Sequence, residues 1–343
     1  MSARPATAQQ EEENQVAEGI AISVHDTVPV WRGDTPGDAL RRTVDLAAAV
    51  EGFGYRRYWV AEHHGTPALA TSSPAVLAGP LLQATRTLTV GSGAVLLPNH
   101  SALAVAEQFG VLASLYPGRV DLGLGRATGG SPASAARLGD PRRLGFDAQF
   151  DELRGYFAGG HQGVRAVPEP EVPPRFWLVG SSIGSAVHAG RAGLPYVYAH
   201  AIVGGGAPQA LDAYREAFRP APGLSEPHAC VAVIAVASDS DARAHRLAEA
   251  FVHGQILMRT VDPESVLPTE EEAAAHTHTS AERDFLRSRI DPQFVGAPDR
   301  IAPRLADFVA RTRADELFVL TQVPDHEARI RSYELVAKIA ASL

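Results

Sequence analysis

Short apolar runs alternate with longer amphipathic stretches along most of this chain. The runs are four to nine residues long, which is typical of buried strands, and the stretches between them repeat apolar residues with the period of a helix. Strands are predicted at eight places, near residues 20–24, 57–61, 88–96, 120–125, 176–180, 196–200, 230–237 and 317–321.

Two of the intervening stretches indicate which helix face should be buried. The spacing predicts that the first helix buries Ala39, Thr43, Leu46, Val50 and Phe53. In the third helix the same spacing favours a face made of Ala104, Gln108, Val111 and Leu115.

Eight strand–helix units predict an α/β fold, a (β/α)8 TIM barrel with insertions, whose functional residues follow the carboxyl ends of the strands. We expect one barrel domain over residues 19–343, preceded by a flexible polar tail over residues 1–18. A polar segment over about 259–298 is an insertion and a candidate lid.

A doubly wound dinucleotide fold is the alternative, because GLGRATGG from Gly123 resembles a glycine-rich phosphate loop. The pattern would need glycine where Thr128 stands, and the bulky Arg126 follows the turn. The barrel is therefore favoured.

Composition limits the classes of binding partner that we expect. The net charge is −8 and no basic run occurs, so a nucleic-acid partner is not expected. No apolar stretch approaches the length of a membrane span, and the single cysteine, Cys230, lies in an apolar run. We expect a cytoplasmic protein without a membrane partner.

The second strand ends in WVAEHHG, at the mouth of the predicted barrel. His63 is a candidate general acid or base with a pKa near neutrality, and a hydrogen-bonded structural histidine is the alternative. Neighbouring strand residues point to opposite faces, so His63 and His64 are poorly placed to share a metal. His276 and His278 lie in the polar segment and are expected to be solvated, so no metal site is predicted.

Glycines interrupt the third strand at Gly91 and Gly93. One explanation is that a flat ligand lies against the backbone, which requires residues without side chains. The alternative is that small residues simply fit the taper of the barrel. Asn99 and His100 follow this strand and would either touch a substrate or cap the next helix.

An anion site is predicted at the ends of the fourth and fifth strands. Arg126 follows the fourth strand, and Ser182 and Ser185 begin the helix after the fifth, where backbone N–H groups favour phosphate. The serines would equally serve as an ordinary helix N-cap.

Four collinear blocks resemble the bacterial-luciferase-like flavin monooxygenases, in their single-chain branch. They are YRRYWVAEHH, TVGSGAVLLPNHSALAVAEQFGVLASLYPGRVDLGLGR, LVGSSIGSAVHAGRAGLPY and the C-terminal VGAPDRIAPRL with ADELFVLTQVPDHEARIRSYELVA. The family has a (β/α)8 barrel that binds FMN at its mouth.

The resemblance implies roles for individual residues. His63 corresponds to an acid/base at the flavin, and Arg126, Ser182 and Ser185 correspond to groups at the FMN phosphate. Gly93–Ala94 falls where the family has a non-prolyl cis peptide against the flavin ring, and Val179 is assigned to the same cofactor site.

The resemblance also implies a reaction. A separate flavin reductase supplies reduced FMN, oxygen adds to give a flavin 4a-hydroperoxide, and one oxygen atom passes to a small organic substrate. A homodimer is expected because related barrels pair through helices near the second and third strands. The alternatives are a deazaflavin-dependent dehydrogenase or reductase and a non-catalytic flavin-binding protein.

Overall fold

Nine parallel strands and the helices between them make up the fold. The computed structural model describes residues 19–127, 129–130, 132–138 and 145–343. The strands are β1 Ala21–Asp26, β2 Arg57–Val60, β3 Thr89–Leu96, β4 Val120–Gly125, β5 Arg175–Gly180, β6 Tyr196–Tyr198, β7 Ala229–Ala237, β8 Phe294–Gly296 and β9 Glu316–Leu320.

Eight of these strands close into a barrel. β1 to β6 pair in chain order, β6 pairs with β7, β7 with β9, and β9 returns to β1. The short β8 pairs with β7 outside this ring. The predicted (β/α)8 barrel is therefore confirmed, and each of the eight predicted runs overlaps one barrel strand.

Helices surround the barrel and follow its strands. Within the described residues they are α1 Pro36–Gly52, α2 Pro74–Ala84, α3 Ala102–Leu115, α4 Pro132–Leu138, α5 Phe146–Phe157, α6 Ile183–Arg191, α7 His200–Val203, α8 Ala207–Ala217, α9 Asp241–Thr260, α10 Glu270–Ala275, α11 Ser280–Ile290, α12 Pro298–Thr312 and α13 His326–Ala340. None of the described helices has the length and apolar character needed to cross a bilayer.

The polar segment 259–298 contains α10, α11 and β8. The predicted tail over residues 1–18 lies outside the described residues, and so does Thr128.

The predicted buried face is right for α1 and wrong for α3. In α1 the structure buries Ala39, Thr43, Leu46 and Val50. The stripe predicted for α3, which includes Val111 and Leu115, faces outward, and the opposite face of that helix is buried. Both faces of α3 carry small and apolar residues, so the period identified the helix but not its orientation.

Large aromatic side chains fill the barrel lumen. Trp59 on β2, Trp177 on β5 and Phe318 on β9 are all fully buried, with Trp59 lying 5.0 Å from Trp177 and 4.3 Å from Phe318 between ring centroids. The barrel is consequently a packed core rather than a channel.

Charged groups seal the amino-terminal end of the barrel. Arg57 Nη1 donates to Asp121 Oδ2 at 2.8 Å, and Arg57 Nε lies 3.2 Å from Glu316. Burial alone would raise the pKa of Glu316, but hydrogen bonding from His228 and the charge of Arg57 lower it to about 2. Buried groups of opposite charge thus pair with one another at this end of the barrel.

A second buried ion pair fastens the C-terminal helix to the first strand. Arg329 on α13 donates through Nη2 to Asp26 Oδ1 at 2.6 Å, and both side chains are buried. Thr43 and Tyr58 donate to the other oxygen of Asp26. Burial works against ionisation of Asp26, yet Arg329 and Tyr58 outweigh it and lower its pKa.

Asp26→Asn should lower the free energy of unfolding by about 3–5 kcal/mol, because it leaves Arg329 buried without a counter-ion. The matched control is Asp239→Asn. The exposed Asp239 carboxylate lies 3.2 Å from Arg331, which is on the same helix as Arg329. Its loss should lower the free energy of unfolding by less than about 1 kcal/mol. Urea denaturation at pH 7 measures both values. Equal effects of the two substitutions would contradict the account.

Candidate active site

A cavity of about 490 Å³ opens at the carboxyl ends of the barrel strands. Its size is that of a site for a small molecule or cofactor. All seven residues that the sequence predicts for the site line this one cavity: His63, Gly93, Ala94, Arg126, Val179, Ser182 and Ser185.

Bare backbone forms one wall of the cavity at Gly93. The Gly93–Ala94 peptide bond is cis, and the Gly93 carbonyl accepts a hydrogen bond from His25 Nε2 on β1. A Cβ at Gly93 would lie 3.0 Å from Trp59 and 3.2 Å from the His25 ring. Glycine is needed here because the lumen aromatic and the imidazole already occupy that space.

Gly91 has a different purpose from Gly93. A Cβ at Gly91 would collide with the backbone oxygen of Asp121 on β4, and Gly91 does not line the cavity. The strand register shifts between Ser92 and Val95, so β3 is bulged just before the mouth. The packing alternative therefore explains Gly91, whereas Gly93 combines packing with a bare cavity wall.

Glu62 organises the loop after β2. Its Oε1 accepts from His64 Nε2 at 2.7 Å and from His100 Nε2 at 2.8 Å, and its Oε2 accepts from the Leu96 amide at 3.0 Å. Burial would raise the pKa of Glu62, but the hydrogen bonds from His100 and His64 lower it. His64 and His100 therefore hold Glu62 in place, and Asn99 lies 3.5 Å from the same carboxylate.

His63 points away from this network. Its Nδ1 is buried and has no hydrogen-bond partner among the described residues. Burial and the neighbouring His25 lower the pKa of His63 to about 4. The expectation of a pKa near neutrality is thus wrong for the unliganded protein, because burial disfavours the charged imidazolium and the nearby His25 adds to that effect.

Arg126 and the amino terminus of α6 form the polar end of the cavity. Ser182 caps α6, accepting from the Ser185 amide at 3.2 Å, and Ser185 Oγ lies 2.8 Å from the Tyr196 hydroxyl. Burial raises the pKa of Tyr196, while the hydrogen bond from Ser185 and the charge of Arg126 act in the opposite direction. The N-cap interpretation of both serines is therefore correct. Their hydroxyls still face the cavity at a helix amino terminus beside a cation, where an anion is stabilised.

The far side of the cavity is apolar and comes largely from α9 and the polar segment. Phe251 and Met258 on α9 line it together with Leu267. Arg289 on α11 adds a cation, and its Nη1 donates to the Ile202 carbonyl at 2.8 Å.

Sequence reasoning missed four residues of this neighbourhood: His25, Tyr196, Arg289 and His253. His25 lies near the carboxyl end of β1, and a polar residue at that position was the available signal. Tyr196 begins β6, so it gave no such signal. Arg289 gave no signal, because one arginine among many in a polar helix looks solvated. His278 was expected to be solvated, but the structure packs it half-buried against the buried His253 of α9.

Comparison with known proteins places these features in a family. A family model described as luciferase-like monooxygenase matches residues 20–316. A luciferase-like monooxygenase of Escherichia coli K12 is 35% identical, with 94% of this chain and 98% of that protein aligned. The crystal structure of apo-MsnO8 superposes with a TM-score of 0.88 at 34% identity, covering 96% of this chain and 99% of the other.

A further relative carries a substrate in its name. An N-acetyl-S-alkylcysteine monooxygenase of Bacillus subtilis is 31% identical over 93% of this chain and 97% of its own length. More distant structures share the fold, among them a diketocamphane monooxygenase in complex with FMN, with a TM-score of 0.70, and an alcohol dehydrogenase with an F420–acetone adduct, with a TM-score of 0.66.

The low pKa of His63 is directly measurable. Between pH 8 and 5 its imidazole should stay neutral in the unliganded protein, with a titration midpoint near pH 4. Two-dimensional NMR of the histidine ring signals measures this, and the signal missing from His63→Gln identifies the residue. A midpoint near the ordinary histidine value of about 6.5 would show that the imidazole is solvated.

Proposed function

The chain belongs to the luciferase-like monooxygenase family, and from this premise we propose that it is an FMN-dependent monooxygenase acting on a small organic substrate. One observation supports this most strongly. A single cavity joins a cationic end, formed by Arg126 and the amino terminus of α6, to a bare backbone wall at Gly93–Ala94. A flavin mononucleotide has this same pairing of an anionic group and a flat ring.

The residues present fit FMN. Its phosphate would meet Arg126, the Ser182 hydroxyl and the backbone N–H groups of α6, whereas Ser185 mainly holds Ser182 and Tyr196 in place. Its ring would lie against Gly93 and Ala94 with Val179 on the cavity wall. When bound and reduced, FMN supplies the activation of oxygen, and the protein supplies position and exclusion of water.

His63 is the proposed proton carrier. Its imidazole is neutral and its buried Nδ1 has no partner among the described residues, so the ring is free to exchange a proton during turnover. His25 has a positioning role, because its Nε2 is committed to the Gly93 carbonyl that forms the wall beneath the ring. His63 and His25 therefore have different proposed roles, although both line the cavity.

We propose that a separate flavin reductase supplies the reduced cofactor. A cavity of about 490 Å³ has room for a flavin ring and a small substrate, and little for a nicotinamide dinucleotide as well. The rival is a deazaflavin-dependent dehydrogenase, which the F420-bound neighbour of the same fold favours. Turnover that does not need oxygen would favour that rival.

The apolar side of the cavity suits a compact apolar substrate with a polar group near Arg289. An N-acetyl-S-alkylcysteine, the substrate in the name of the Bacillus subtilis relative, has an apolar thioether and a carboxylate and is the first compound to assay.

We propose a homodimer formed through α2 and α3. Val76, Leu115 and Val111 are 72%, 67% and 45% exposed on these helices, which is unfavourable for an isolated chain. Leu115→Arg should convert a dimer into a monomer in sedimentation velocity, and the exposed Val261→Arg is the control. A wild-type protein that sediments as a monomer would contradict the proposal.

Arg126→Gln should weaken binding of reduced FMN about tenfold, because it removes a charged contact to the phosphate. Reduced riboflavin, which lacks the phosphate, should bind the wild type and the variant equally. Anaerobic titration calorimetry measures both affinities, with the exposed Arg137→Gln of α4 as control. If Arg126→Gln weakened both ligands alike, Arg126 would not be the phosphate ligand.

His63→Ala should keep the fold and the affinity for reduced FMN but slow product formation by about a hundredfold or more, since general acid–base catalysis contributes that much. The assay supplies flavin through an added reductase and follows oxygenated product by mass spectrometry. Unaltered turnover would remove His63 from the mechanism.

A further inference from the structure

Three histidines meet outside the cavity, on the side covered by the polar segment. His253 lies on α9, and His276 and His278 lie in the linker between α10 and α11. Their ring centroids are 4.5, 5.1 and 4.8 Å apart, and one nitrogen of each lies within 4.8 Å of the others. His253 is buried, His278 is half-buried and His276 is exposed.

The spacing of these nitrogens suits a metal. His253 Nδ1 lies 3.2 Å from His278 Nε2. Two imidazole nitrogens on one tetrahedral zinc ion, each bonded at ~2.0–2.1 Å, are separated by roughly 3.4 Å. A hydrogen bond between two imidazoles would also explain that pair, but it gives no reason for the third ring to lie beside both.

Glu282 completes the arrangement. His276 Nε2 lies 3.4 Å from Glu282 Oε2, and this carboxylate also accepts the Thr279 amide at 2.7 Å at the start of α11. A carboxylate behind a histidine is the usual orienting partner of a metal-ligating imidazole. The acid is itself fixed by the capping box of α11, so its position does not depend on the histidine.

We propose that His253, His276 and His278 form a binding site for one divalent transition-metal ion of the zinc class. Three neutral imidazoles suit zinc, nickel or copper far better than calcium or magnesium. The exposed edge at His276 leaves the fourth position to water.

A metal at this site would hold together the segments that form the apolar side of the cavity. Phe251 and Met258, which flank His253 on α9, line the cavity, and so do Leu267 and Arg289 on either side of the other two histidines. A metal ion joining α9 to the α10–α11 linker would hold these segments together. Its role is structural and separate from the chemistry proposed for the mouth.

The test uses untagged full-length protein that has been treated with a chelator and dialysed. Calorimetric titration with Zn²⁺ alone should give one ion per chain, and Co²⁺ should give the intense absorption of a tetrahedral site. His276→Gln and His278→Gln should each weaken binding by at least about tenfold. His245→Gln, which changes an exposed histidine of the same helix α9, should leave binding unchanged.

Thermal unfolding of the metal-free variants establishes that they fold, and it should match that of the metal-free wild type. Absence of Zn²⁺ binding by the wild type would overturn the proposal. Binding that survives in the double variant His276→Gln/His278→Gln, or that is lost equally in His245→Gln, would overturn it as well.

Discussion

A closed parallel barrel must fill its own lumen, and the rest of this structure depends on how it does so. Trp59, Trp177 and Phe318 pack against one another across the interior in edge-to-face and tilted contacts, and beneath them Arg57 pairs with Asp121 and Glu316. These three aromatic side chains therefore form the floor beneath the mouth of the barrel. The cavity lies at the other end, at the carboxyl ends of the strands.

The geometry of the mouth follows from that floor. Trp59 and His25 leave no room for a side chain at Gly93, so the third strand presents its peptide groups to the cavity. Burial and the neighbouring His25 lower the pKa of His63 and keep its imidazole neutral at pH 7. Arg126 and the amino terminus of α6 line another part of the cavity, and Arg289 adds a second cation. One cavity thus combines two cationic side chains, a wall of bare backbone and a neutral imidazole.

Local sequence patterns predicted the features that depend on neighbouring residues in the chain. Eight apolar runs gave eight barrel strands, and residues at strand ends such as His63 and Arg126 reached one cavity because parallel strands share a carboxyl edge. Features set by distant contacts could not be predicted in this way. The buried face of α3 depends on its neighbours, and the pKa of His63 depends on His25, which is 38 positions away along the chain.

The histidine cluster has the same origin. His276 and His278 lie in a polar stretch that looks solvated in one dimension, and only the fold brings His253 to them. Helix capping, by contrast, could be predicted from local sequence. Ser182 and Ser185 form the capping box that their spacing indicates, and both residues also line the cavity. A residue near a helix terminus can therefore satisfy a structural and a ligand-binding requirement together.

We propose that this mouth binds reduced FMN and controls its reaction with oxygen. To test this, the protein is mixed anaerobically with chemically reduced FMN and exposed rapidly to oxygen while the flavin absorbance spectrum is recorded. A transient spectrum that depends on the protein should precede oxidised FMN. Direct return to oxidised FMN at the rate seen without protein would exclude binding and control at this site.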